Sequence, residues 1–141
     1  MAGTLSLRVI TPDRILLDTT AASISFPTLD GSVGILKDHA PMVAALGVGE
    51  LTYRGDSGGE EILFVAGGFA EVRSNTVRVV TDVSEPISEI DVERADRAAE
   101  RARTRLKQYE SNEGEVLDVL RARAALARAI ARQRAAGRRR I

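Results

Sequence analysis

Ser84-Glu85-Pro86-Ile87-Ser88-Glu89-Ile90-Asp91-Val92-Glu93-Arg94-Ala95, residues 84–95, is the stretch where the chain changes its period. Before it, apolar residues alternate with polar ones or come in short runs broken by Gly, Pro, Asp or Asn. After it, they recur every three or four residues. Ser88-Glu89-Ile90-Asp91 has the spacing of a capping box, in which a hydroxyl and a carboxylate three residues on satisfy the free N–H groups of a first helical turn. Pro86 closes the strand-forming part, because it cannot donate to a ladder.

Upstream, Leu5, Leu7 and Val9 alternate with Ser6, Arg8 and Ile10 until the turn signal Thr11-Pro12-Asp13. Further strands are expected over residues 15–17, 22–26, 33–36, 42–46, 50–53, 62–66, 69–73 and 77–81, with Ser74-Asn75 as a tight hairpin connection. Many short strands rich in β-branched residues indicate an antiparallel sandwich or barrel. Downstream, Ala95, Ala98, Ala99, Ala102, Leu106 and Tyr109 form one apolar stripe of a first helix. A link at residues 110–114 leads to a second, with Asn112 and Glu115 as its cap pair and Val116, Leu120, Ala124, Ala127, Ile130 and Ala131 turned inward. So short a link makes the helices antiparallel. The fold class is therefore α+β: an N-terminal antiparallel β-sandwich, residues 1–88, followed by a C-terminal antiparallel two-helix hairpin, residues 89–141.

Charge divides at the same place. Residues 1–88 hold six basic and eleven acidic side chains and residues 89–141 fourteen and nine, so a formal net charge of zero joins −5 to +5. From Arg121 onward there are eight basic residues and no acidic one. With no Cys, thiolate catalysis and Cys-ligated metals are excluded. His39 is the only histidine, so neither a triad nor a zinc cage is expected, and a structural or interface role suits it better. No phosphate-binding Gly-rich motif is found; Gly47-Val48-Gly49 and Gly67-Gly68 are expected to be turns. There is no apolar run of the ~20 residues that span a bilayer, and the opening residues lack the pattern of a secretory signal.

Arginines carry the remaining signal. Arg94, Arg97, Arg101 and Arg105 lie at helical spacing on the first helix, and Arg121, Arg128 and Arg132 on the second. Two such stripes repel unless an anion or an acidic partner surface meets them, and guanidinium forks suit phosphate and carboxylate oxygens. The bland alternative is a solvated face partly paired with Asp91, Glu93, Asp96 and Glu100. A nucleic-acid-binding β-barrel with an Arg-rich helical arm is the competing function, weakened by the scarcity of aromatic residues for base stacking in the basic half.

Taken in order, Val9-Ile10-Thr11-Pro12-Asp13, Gly31-Ser32-Val33-Gly34-Ile35-Leu36-Lys37-Asp38-His39-Ala40-Pro41-Met42, Val65-Ala66-Gly67-Gly68-Phe69-Ala70-Glu71-Val72, Val77-Arg78-Val79-Val80-Thr81-Asp82 and Ile90-Asp91-Val92-Glu93-Arg94-Ala95 resemble the epsilon-subunit family of the bacterial rotary ATP synthase from end to end. The resemblance implies a noncatalytic subunit at the foot of the central stalk of a proton-translocating synthase. It would be peripheral, on the cytoplasmic face of the bacterial cell membrane, without direct membrane insertion or nucleic-acid binding. The sandwich would grip the gamma subunit and rest on the ring of membrane subunits. The hairpin would either fold down or extend into the catalytic head, where its basic face meets the beta subunits and hinders ATP hydrolysis. Ser32, His39, Arg121 and Arg123 are the partner contacts that follow. No catalytic cofactor is implied, but a regulatory ATP is, on Glu85, Asp91, Arg94, Ala95, Arg101, Arg128 and Arg132. Two departures touch the sandwich contact: Ser32 stands where the family often has a carboxylate, and Lys37-Asp38 where it has Pro-Gly. The tail, residues 137–141, has no motif and is expected to fray.

Overall fold

The computed structural model describes residues 4–55, 58–111 and 116–139. It divides into two compact units at Pro86/Ile87, two residues before the boundary drawn from the sequence. Among the described residues, ten strands build the first: β1 (Leu5–Ile10), β2 (Ile15–Ala21), β3 (Ser23–Thr28), β4 (Gly31–Leu36), β5 (Met42–Ala45), β6 (Val48–Arg54), β7 (Glu60–Ala66), β8 (Phe69–Arg73), β9 (Thr76–Val80) and β10 (Val83–Pro86). They form two five-stranded sheets, ordered β2-β1-β9-β8-β5 and β10-β7-β6-β3-β4. Every pairing is antiparallel except β1 with β9, which is parallel. The sequence had left sandwich and barrel open; two separate sheets decide for the sandwich.

Alternation explains the layering. Leu5, Leu7 and Val9 on β1, Val77 and Val79 on β9, and Ala70 and Val72 on β8 turn inward, where they meet Ile24, Phe26, Ile35, Leu51, Leu63 and Val65 of the second sheet. Successive strand side chains point to opposite faces, so one buried set per strand suffices. β7 is the exception. Its continuous run Leu63-Phe64-Val65-Ala66 is buried on both faces, as an unbroken apolar strand requires. Strand β10 is absent from the sequence reading. It is short, polar and ends in Pro86, features that suit only an edge strand, and its pairing with β7 sets Glu85 opposite Phe64.

The glycine pair at 67–68 makes a tight two-residue turn between β7 and β8. Both residues have positive φ, 77° and 104°. A Cβ on Gly68 would collide with the Val80 carbonyl and lie 2.7 Å from the Thr81 Cα. The bend brings the Gly67 carbonyl within 2.7 Å of the buried Thr81 hydroxyl, which donates to it, while Leu46 N–H donates to Gly68 O at 2.9 Å.

The second unit contains a 3-10 turn (Ile87–Glu89), α1 (Val92–Ser111) and α2 (Val116–Arg139). On α1 the expected stripe is the buried one: Ala95, Ala99 and Ala102 are buried and Ala98, Leu106 and Tyr109 half-buried. On α2 the expected stripe turns inward only at Ile130 and Ala131, which are half-buried. Val116 and Leu120 are 76% and 54% exposed, Ala124 and Ala127 are also exposed, and the buried line is Ala122, Ala129 and Ala136, with Ala135 buried beside its end. The helix has alanine on nearly every side, so periodicity does not choose among its faces. The tail also departs from expectation, since α2 stays helical through Arg139. The cap pair Asn112 and Glu115 lies outside the described residues.

Gly68→Ala is expected to destabilise the sandwich by about 3 kcal/mol or more, since backbone must move to admit the methyl at a glycine-only φ. Gly34→Ala, with open space around its Cβ, should change stability by under about 0.5 kcal/mol. Urea unfolding of the two variants checks the contrast.

Candidate functional site

Asp91 starts α1. Its Oδ1 accepts the Arg94 backbone N–H at 3.0 Å, and its carbonyl accepts the Ala95 N–H at 3.0 Å. Asp91 is therefore the N-cap itself, which corrects the expected capping box with Ser88 as the cap. The 3-10 turn, closed by the Ile90 N–H to Ile87 carbonyl bond, occupies Ser88 one turn too early. A carboxylate placed three residues before the N–H it accepts is a strong cap and also favours the positive end of the helix dipole.

Cross-helix contacts fix how α1 and α2 meet. Gln133 Nε2 donates to Asp96 Oδ1 at 2.7 Å, and Leu106, Tyr109, Val119 and Arg123 line one crevice between the helices. The helices are thus antiparallel. Starting from Asp96 opposite Gln133, one step along α1 and one back along α2 sets Arg97 level with Arg132. Five steps each way set Arg101 level with Arg128.

Side follows from rotation. At about 100° per residue, Arg94, Arg101 and Arg105 lie roughly 100° round from the buried line Ala95, Ala99 and Ala102. Arg121, Arg128 and Arg132 lie the same angle, in the same sense, from Ala122, Ala129 and Ala136. In an antiparallel pair that sense puts both rows on one side of the seam. The fold therefore gathers the two arginine stripes into a single cationic face. Arg94, Arg97, Arg101, Arg105 and Arg121 are exposed; Arg128 and Arg132 are half-buried.

Little neutralises this face. Arg97 has Glu93 at 4.0 Å, through largely exposed side chains worth little, while the Arg103–Glu100 pair, also at 4.0 Å, lies off this face. Arg132 is engaged by a neighbour. Among the described residues, Arg101, Arg105, Arg121 and Arg128 have no salt bridge. Three guanidinium groups at two adjacent levels, Arg101, Arg128 and Arg132, present the donor set that a polyphosphate takes. Arg123 lies on the opposite side of α2 from this row, exposed beside the crevice. Ala95 is 3% exposed within the seam, and Glu85 belongs to the other unit, on β10.

Ser32 and His39 are not brought together. Ser32 is at the start of edge strand β4, opposite Pro27, with its hydroxyl 3.3 Å from that of Ser25. His39 follows the strand's far end, about 3.3 Å per residue away over the strand length. Its backbone N–H donates to Leu36 O at 3.2 Å, and its Nδ1 lies 2.7 Å from the Ala40 carbonyl. A carbonyl only accepts, so Nδ1 carries the proton and Nε2 is the acceptor nitrogen of the ring. Each end also has an exposed apolar residue: Leu29, 75% exposed, near Ser32, and Leu36, 65% exposed, near His39.

This two-part architecture is that of a known family. The ATP synthase delta/epsilon chain beta-sandwich domain matches residues 4–87, and the long alpha-helix domain of the same chain matches residues 88–137. The chain belongs to the ATP synthase delta/epsilon family. Relatives include the ATP synthase epsilon chains of Symbiobacterium thermophilum, 47% identical over 134 residues (94% of this chain, 93% of the relative), and Moorella thermoacetica, 43% identical over 135 (96% and 98%). Among solved structures, a chain of the Euglena gracilis mitochondrial ATP synthase, determined as OSCP/F1/c-ring in rotational state 1, matches with a TM-score of 0.82 at 26% identity. It covers 96% of this chain and 82% of that one. Family membership sets aside the nucleic-acid-binding barrel. Among the described residues, no helix is long and apolar enough to cross a membrane.

For this epsilon-family chain the sequence missed two things: that Asp91, rather than Ser88, is the N-cap, and that Gln133 reaches Asp96. The first was legible as an Asp three residues before a helical N–H; the second needed the register. Asp91→Ala should cost the hairpin about 1 kcal/mol, whereas Asp91→Asn, which keeps the cap, should cost a few tenths at most. Thermal melts followed by far-UV circular dichroism separate the two.

Proposed function

We propose that this chain is the noncatalytic central-stalk subunit that links the rotor of a proton-translocating ATP synthase to its catalytic head and restrains ATP hydrolysis through its hairpin. The chemistry of ATP synthesis belongs to other chains. The observation that carries the reading is the gathering of both arginine rows on one side of an alanine seam. Such a face attracts acidic surface, and the beta subunits of the catalytic head are its partner in the extended arrangement, with Arg121 among its contacts and Arg123 offering a second one from the other side of α2.

The sandwich supports two further contacts. Its edge strand β4 has a partner surface at each end, Leu29 and Ser32 at one and Leu36 and His39 at the other, which fits simultaneous engagement of two neighbours, the gamma subunit and the membrane-subunit ring. The subunit is then peripheral, on the cytoplasmic face of the bacterial membrane.

A regulatory ATP fits the same hairpin face. Arg101, Arg128 and Arg132 would hold its phosphates, with Arg94, Ala95 and Asp91 completing the set on the hairpin. Bound ATP supplies negative charge where the two rows repel. Because the rows adjoin only while the helices are paired, its binding energy stabilises the folded hairpin over any separated one. Only one carboxylate oxygen of Asp91 is free for this, the other being the helix cap.

Calorimetric titration of the protein with ATP and with ADP tests the nucleotide part. Saturable binding that prefers ATP is expected, lost in Arg128→Ala and weakened in Asp91→Asn, which keeps the cap. An absence of binding up to millimolar ATP would strike the nucleotide and leave the arginines as a docking surface alone. In the assembled synthase, removal of residues 89–141 should raise the rate of ATP hydrolysis; an unchanged rate would remove the hairpin from the restraint.

A further inference from the structure

The loop that presents His39 is built around a residue in an unfavourable conformation. Asp38 has φ 65°, in the left-handed region that favours glycine. Asp tolerates this region better than most residues, yet still at a cost. The loop's own turn offsets only part of this, through the His39 N–H donating to Leu36 O at 3.2 Å, the long end of the usual range.

The compensation comes from 37 residues away. Asn75 Oδ1 accepts the Asp38 backbone N–H at 2.6 Å, and Asn75 Nδ2 donates to Asp38 Oδ1 at 3.2 Å. One amide thus satisfies both the backbone and the side chain of the strained residue. Asn75 is itself anchored. It sits in the β8–β9 hairpin turn with Ser74, both left-handed at φ 60° and 49°, and its carbonyl accepts the Ser6 N–H of β1 at 2.9 Å. The loop after β4 is therefore tied to the sheet that holds β1, β8 and β9.

We propose that Asn75 is the positioning residue for the His39 contact, its side-chain amide doing for Asp38 what an absent side chain does for glycine at a left-handed position. The clasp fixes the peptide preceding His39, hence the direction in which the imidazole leaves the loop. A contact held in place before binding spares the complex the ordering cost of a free loop. Asn75 need touch no partner to do this. The inference rests on the reading of the His39 loop as a surface that meets another subunit.

Asn75→Gly is the informative variant, because glycine keeps the left-handed turn and removes only the amide. In the isolated full-length protein, amide exchange at Asp38 should become about tenfold faster with the thermal midpoint little changed. Binding to ATP synthase assembled without this chain should weaken by roughly three- to tenfold. With Asp38→Gly already present, the same substitution should weaken binding less than about twofold, the non-additivity expected of contacting residues. An equal loss in both backgrounds would assign Asn75 to the hairpin turn and overturn the proposal, as would unchanged exchange at Asp38. His39→Ala separates the remaining case. If it weakens binding while Asn75→Gly does not, the positioning role fails alone. If neither weakens binding, the reading of the loop as a contact fails, and the proposal with it.

Discussion

Mutual repulsion across a seam of methyl groups is the constraint on which the hairpin depends. The buried line is alanine on both helices, and each methyl removed from water contributes only about 0.8 kcal/mol. Against this cohesion stand two arginine rows on one side, with like-charge helical neighbours costing a few tenths of a kcal/mol each. Neither quantity dominates. Small contributions at the edge of the seam, such as the Asp96–Gln133 bond, are then large relative to the balance, and any anion on the cationic face acts on the same balance.

The sandwich has the opposite character. Two sheets interdigitate Leu, Ile, Val and Phe side chains into one core, and one of the turns that join them uses Gly68, where a side chain would collide with backbone. A core of branched and aromatic side chains loses several kcal/mol when one is truncated, so the sandwich has no comparable alternative arrangement. One chain thus joins a rigid platform, whose edge strand carries an exposed leucine at each end, to a pair of helices held near balance.

How far the sequence revealed this depends on which physical signal each element carries. Strands with one buried face announced themselves by alternation, and β7 by its unbroken apolar run. Strand β10 did not, since an edge strand ending in proline needs no apolar pattern. Helix α1 was legible because its alanines are interrupted by Arg and Glu at regular steps. Helix α2 was not, because Ala122, Ala124, Ala127, Ala129 and Ala131 qualify equally for the inner face until a partner helix selects among them. Candidate site residues divided likewise. The spacing of the arginines gave each row, but their convergence on one side needed the antiparallel register. Ser32 and His39, close in sequence, fell at opposite ends of one strand, which spacing alone does not reveal.

The parallel pairing of β1 with β9 also orders events in time. β1 is the first strand of the chain and β9 the last of its sheet, so β1 lacks its second neighbour until residue 80 has left the ribosome. The intervening strands β3, β4, β6 and β7 belong to the other sheet and offer it no edge. Such distant pairing closes a long loop before it is rewarded and slows folding, whereas two adjacent helices need only local contacts. During synthesis, then, the platform completes late, and its first strand waits with an unpaired edge while residues 11–80 are made.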